Sequence, residues 1–114
     1  MHELSIATSV IDTVEEYASK ENAIIVNYIE LDIGELSGVV IEALNFAMTE
    51  VVKNTICSNA DIKINSIKAK AKCMKCGHVF EISDIYSVCE KCNNFDNEII
   101  QGKELNLKKI LVKS

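Results

Sequence analysis

Apolar residues recur at Leu4, Ala7, Ile11, Val14 and Ala18, in alternating steps of three and four, and Ile6, Val10 and Tyr17 widen the stripe. This period predicts an amphipathic helix over residues 3–19. Glu3 falls in its first turn, where a negative charge suits the positive end of the helix dipole. A helix starting this early implies an amino terminus held against a packed element. The stretch AIIVNYIELDI, 23–33, is rich in β-branched residues and predicts a strand, with Ile29, Leu31 and Ile33 on one face and Glu30 and Asp32 on the other. Gly34 and Gly38 bracket a loop in which Ser37 is a candidate N-cap for a second helix over 39–53. Val40, Ala43, Leu44, Ala47 and Val51 would form its inward stripe.

Residues 61–71 predict a second strand, but Ile62 and Ile64 alternate in one phase and Ile67, Ala69 and Ala71 in the other. A bulge near Ser66 would reconcile them. Residues 98–112 predict a third strand, with Gly102 as a break and Leu105 and Leu107 alternating with polar neighbours. The order helix, strand, helix, strand, insertion, strand predicts an α+β fold, a three-stranded sheet covered by two helices. In domain terms, residues 1–71 form one unit that the strand within 96–114 returns to complete, and a cysteine module over 72–95 is inserted into it.

That module changes the picture from fold to chemistry. It reads Cys73-x₂-Cys76-x₁₂-Cys89-x₂-Cys92. Two residues between cysteines let both sulfurs reach one ion from a single tight turn, and two such turns complete a tetrahedron, the arrangement of a Zn²⁺ ribbon. Gly77 supplies the backbone freedom the first turn needs. Val79, Phe80, Ile82, Ile85 and Tyr86 provide a hairpin between the pairs. Four sulfurs close the shell and leave no place for a catalytic water, so such a zinc is structural. One CxxC alone would suit a redox pair; two at ribbon spacing favour a metal. His78 reads as a solvated surface histidine rather than a substitute ligand, and Cys57 as a small buried apolar residue.

Composition restricts the partners. The 114-residue chain suits one domain with a small appended module, and its formal charge is −5. Four thiolates around a dication would take the charge to about −7. All its basic residues are lysines, and it has no arginine to read guanine bidentately. Such a molecule is repelled by nucleic acid and by anionic membranes, which weighs against a nucleic-acid-binding zinc ribbon. The start, MHELSIATSV, has no basic segment leading into an apolar run, and no stretch approaches the length of a membrane span. Five cysteines without a secretory signal suit a reducing, cytoplasmic setting. There is no nucleophile–base pair, Gly-rich phosphate loop or open metal shell, so an enzyme is not expected. Glu30, Asp32 and Glu35 read as solvated polar residues rather than acid/base carboxylates.

His2 is the other histidine. The α-amine of Met1 and the main-chain nitrogen of His2 close a five-membered chelate ring, and that nitrogen with the His2 imidazole closes a six-membered one. The planar nitrogen set that results suits Ni²⁺ or Cu²⁺ in tetragonal geometry. It requires Met1 retained and a free amine, whose ordinary pKa is ~7.7–8.0, so affinity falls with pH.

With both constellations in view, the chain resembles the HypA/HybF family of hydrogenase nickel-incorporation proteins. The resemblance rests on the opening MHELSIA, on LDIGELSGV with the EAL-F-A pattern beyond it, on the paired CxxC motif, and on the strand after GKEL. It implies a nickel-binding α/β unit with an inserted zinc ribbon, the ribbon ligands mapping onto Cys73, Cys76, Cys89 and Cys92. It further implies nickel at His2 with main-chain nitrogens around Met1, His2 and Glu3. The implied role is delivery of Ni²⁺ to the NiFe-hydrogenase large-subunit precursor with a HypB-type GTPase, and in some organisms service to urease maturation proteins. Two departures stand out. Val40 and Ile41 occupy the place where many relatives have an acidic residue followed by proline, so no side-chain ligand carries over there. Glu90 and Lys91 fill the second knuckle, where relatives often have proline.

Overall fold

A computed structural model describes residues 3–114. Helix α1 (Glu3–Lys20) is followed by strand β1 (Ile25–Gly34), helix α2 (Ile41–Val51) and strand β2 (Asp61–Ile67). Strands β3 (Lys70–Cys73), β4 (Val79–Glu81), β5 (Asn97–Gln101) and β6 (Leu105–Lys113) complete the chain. The strands form two three-stranded sheets, ordered β2-β1-β6 and β4-β3-β5.

The first sheet and both helices make the larger layer. β1 lies in its centre, parallel to β2 and antiparallel to β6. The parallel pair follows from the chain: α2 is the crossover that a parallel β1–β2 arrangement requires. Ile29, Leu31 and Ile33 are buried on one face of β1, as their alternation predicts, and Val26 joins them three residues before Ile29. A register shift between Val26 and Tyr28 accounts for that odd spacing. Ala7, Ile11, Val14 and Ala18 of α1 and Leu44, Ala47 and Met48 of α2 close over this face. Cys57 is buried in the same core, where burial pushes its thiol up. The opposite face is polar. Asn65 Nδ2 donates to Glu30 Oε2 at 2.7 Å and Asp32 Oδ1 at 2.9 Å, and Tyr28 Oη donates to Glu30 Oε1 at 2.7 Å.

The structure departs from the sequence pattern at four places. Residues 61–71 are two strands rather than one bulged strand. The change of phase marks the passage from the first sheet to the second at Lys68–Ala69, after which Ala69 and Ala71 point into a different core. The predicted 98–112 strand is likewise split at Gly102 into β5 and β6. Leu4, Val40 and Ala43 are exposed instead of inward. Val40 precedes the helix in an extended conformation, outside the helical period, and Met48 and Val52 take the buried positions. Ser37 does not cap α2: its Oγ accepts the Val39 N–H at 3.2 Å.

Candidate metal centre

The second sheet is built for two turns. Cys73 ends β3, and the chain reverses so that Gly77 N donates to Cys73 O at 3.0 Å and Cys73 N to His78 O at 2.9 Å. The other turn repeats this pattern: Asn93 N donates to Cys89 O at 2.9 Å and Cys89 N to Asn94 O at 2.8 Å. In both turns the residue after the second cysteine has positive φ, +77° at Gly77 and +60° at Asn93. Asparagine is one of the few side chains that tolerate this conformation, so Asn93 does in the second knuckle what Gly77 does in the first.

The two turns bring the four predicted cysteines together. Their sulfurs all lie within 4.8 Å of one another, with Cys73–Cys92 at 3.5 Å and Cys76–Cys89 at 3.6 Å. A tetrahedral ion with sulfurs at ~2.3 Å would set them about 3.8 Å apart, so the donor set fits one such ion. Cys73 and Cys89 are buried, Cys92 is half-buried and Cys76 is exposed. The N–H of Cys76 draws the Cys73 thiol down to about 6, against the opposing effect of burial and with help from the Lys75 N–H. At Cys92 the Asn94 N–H favours the thiolate, but burial and the sulfurs of Cys73, Cys89 and Cys76 push its thiol up to about 11. Four sulfurs this close cannot all ionise unaided, and a dication removes the repulsion between them.

Side chains that the spacing of cysteines does not reveal brace the centre. Asn94 Nδ2 reaches Cys73 Sγ at 3.7 Å, and Asn97 Nδ2 donates to the carbonyls of Ser87 and Asn94, each at 3.1 Å. His78 is not freely solvated: its Nε2 lies 2.7 Å from Glu90 Oε1 and its ring stacks on Phe80 with centroids 5.9 Å apart. The His78–Glu90 pair ties one knuckle to the other.

Met1 and His2 lie outside the described residues. Their neighbour Glu3 opens α1, and its Oε2 accepts the Val40 N–H at 3.2 Å from 37 residues away. α2 has no side-chain cap of its own. The carboxylate of one helix therefore supplies, from outside, the contact a capping-box glutamate makes within a helix. Val40 contributes no donor side chain.

Comparison with known proteins agrees with this architecture. Residues 1–112 match the family model described as "Hydrogenase/urease nickel incorporation, metallochaperone, hypA". A hydrogenase maturation factor HypA of Parabacteroides distasonis is 39% identical over 113 residues, covering 99% of this chain and 98% of that protein. The HypA of Chlorobaculum parvum is 39% identical over 112 residues, covering 98% and 99%. The solution structure of the Ni metallochaperone HypA from Helicobacter pylori superposes with a TM-score of 0.71 at 31% identity, over 100% of this chain and 99% of that one. These proteins are maturation factors rather than enzymes, and the chain belongs to their family, the HypA hydrogenase/urease nickel-incorporation metallochaperones.

Proposed function

We propose that this chain captures Ni²⁺ at its amino terminus and passes it to the NiFe-hydrogenase large-subunit precursor. The nickel set is the Met1 amine, the main-chain nitrogen and imidazole of His2, and the main-chain nitrogen of Glu3. The observation that carries this reading is the tie between Glu3 Oε2 and the Val40 N–H, because it anchors the residue next to the chelating pair. Transfer is ligand exchange; no bond of a substrate is broken. The positive ends of two helix dipoles near Glu3 disfavour a cation, and the deprotonated nitrogens and the Glu3 carboxylate offset this, which suits an ion that is carried and then released.

The four-cysteine centre holds Zn²⁺, and its role is structural, in keeping with a closed all-sulfur shell. Labour is divided between the unit of α1, β1, α2, β2 and β6, which carries nickel, and the cysteine module of residues 72–95, which forms the zinc ribbon together with its stem of β3 and β5. The partners are a HypB-type GTPase and, where urease is a client, urease maturation proteins. The acidic charge keeps nucleic acid and anionic membranes from being partners, and no described helix is long and apolar enough to cross a membrane. The setting is the cytoplasm.

Untagged protein with native Met1 should bind one Ni²⁺ beside its zinc, with a spectrum of nitrogen-rich planar coordination. His2→Ala should lose the nickel and keep the zinc. Unchanged nickel affinity in that variant would refute the site.

A further inference from the structure

The first sheet has an edge that the chain leaves open. β6 pairs with β1 on one side, and among the described residues no strand pairs with its other side. Gly34 N donates to Glu104 O at 2.8 Å, and Ile33, Asp32 and Leu31 follow in register with Leu105, Asn106 and Leu107. Hydrogen-bonded and open pairs alternate along an antiparallel ladder. Glu104 and Asn106 therefore turn their main chain toward β1, and Leu105 and Leu107 turn theirs outward. Those amides and carbonyls are the start of a further ladder.

Beside this edge runs a groove of about 360 Å³ between β6 and α1. Leu105, Leu107, Ile6 and Val10 give it an apolar lining, and the short side chains of Ser5 and Ser9 leave it wide on the helix side. Leu105 stands opposite Ile33, so its side chain points to the face that the helices cover, yet it is 45% exposed. The other face of the same strand is basic. Lys109 stands opposite Glu30 on the polar face of the sheet. Lys113 points the same way, since its neighbour Val112 packs into the core. Lys108 already reaches Glu30 at 3.6 Å, but among the described residues neither Lys109 nor Lys113 has a carboxylate at ion-pair distance. β6 has lysines and no acidic residue, in a chain whose formal charge is −5.

We propose that β6 and its groove dock an extended segment of a partner protein as a fourth strand of this sheet, apolar where it faces α1 and acidic where it faces the lysines. Strand addition takes its affinity from main-chain hydrogen bonds and its selectivity from the pockets that alternate side chains enter. The lysines decide between occupants. A second copy of β6 laid along the first would set lysine near lysine, which disfavours that pairing. An acidic strand places opposite charges beside Lys109 and Lys113 instead. The inference is independent of where nickel binds and of the ion in the ribbon.

The probe is a synthetic peptide as long as β6, nine residues, alternating valine and glutamate and blocked at both ends; its counterpart alternates valine and lysine. Titration calorimetry with the untagged, zinc-loaded full chain should show binding of the glutamate peptide and an affinity about tenfold or more weaker for the lysine peptide. N-methylated peptides separate strand pairing from charge attraction: methylating one alternating set of amides should abolish binding, and methylating the other set should preserve it. Ser9→Trp, a change at an exposed position, fills the groove and should weaken binding about tenfold. Lys109→Gln combined with Lys113→Gln should weaken it about as much, and serves if the tryptophan variant does not fold. In NMR spectra the amides of Leu105 and Leu107 should shift when the peptide binds. No binding at millimolar peptide, equal binding of the two peptides, or equal effects of the two methylation patterns would overturn the proposal. So would a free chain that sediments as a dimer and becomes monomeric in Ser9→Trp, because a second copy then fills the groove.

Discussion

Gly34→Ala tests the close crossing of Gly34 and Gly102, where the two sheets meet, by adding a single carbon. The added Cβ would sit 2.0 Å from the Gly102 oxygen, 2.1 Å from its carbonyl carbon and 2.6 Å from Lys103 N, all backbone atoms. Ordinary carbon contacts begin near ~3.5 Å, so the two segments must part by about 1.5 Å. That displacement breaks Leu36 N–H to Gly102 O, at 2.7 Å, and Gly34 N–H to Glu104 O, at 2.8 Å. Overpacking costs about 1–3 kcal/mol, and each of the two hydrogen bonds lost with its groups left buried costs about 1–2 more, for a total of roughly 3–7 kcal/mol. At a few degrees per kcal/mol for a chain of this length, Tm should fall on the order of 10–25 °C. Gly38→Ala is the contrast: φ is +83° but no atom lies within 4 Å of its Cβ. Only the conformational penalty of about 1–2 kcal/mol applies there. Urea unfolding of both zinc-loaded variants, followed by circular dichroism, gives the difference directly. If Gly34→Ala unfolds within 1 kcal/mol of the parent, or Gly38→Ala proves the worse of the two, the close crossing described here is wrong.

Three other outcomes are expected. The Tyr28 hydroxyl, then the Asn65 amide, with Lys108 assisting, hold Glu30 down to about 2 from an ordinary 4.5. A depressed carboxylate stabilises the fold above pH 4.5 and loses that contribution as pH falls from 4.5 through 2, so Glu30→Gln should flatten the dependence of the urea midpoint on pH in that window; an unchanged slope would contradict the network. Zinc removal should abolish the ellipticity and near-ultraviolet signals of residues 70–101, and retention of both would count against a structural ion. Asn93→Val, which forces a β-branched residue to φ +60°, should cost about 1–2 kcal/mol and weaken zinc retention, whereas Asn93→Gly should be tolerated; equal behaviour of the two would show that the second knuckle does not need a left-handed residue.

Local periodicity carried most of what could be read without a structure. The stripe of α1 and the alternation of β1 are visible because each reports only on its own element, and the cysteine pairs because metal geometry restricts their spacing. The division of 61–71 was not visible. A bulge and a passage into another sheet invert the inward phase in the same way, and only the pairing partners of Ile67 and Lys70 separate them. Asn93 was legible in principle, by laying one knuckle over the other and seeing asparagine where Gly77 stands. The tie from Glu3 to Val40 was not, since it joins two helix starts through a long-range contact no local pattern encodes. Val40 was misread for the same reason: as an extended residue before α2 it follows no helical stripe.

The placement of β6 also bears on how this protein is made. β1 takes one neighbour from β2 and the other from the strand that leaves the ribbon last. A nascent chain therefore displays both knuckles, competent to gather their ion, while one side of β1 is still a bare ladder of amides and carbonyls. An interrupted translation product ending near Gln101 would be metallated and yet carry an open, apolar-backed edge, the kind of species that chaperones retain and that otherwise aggregates.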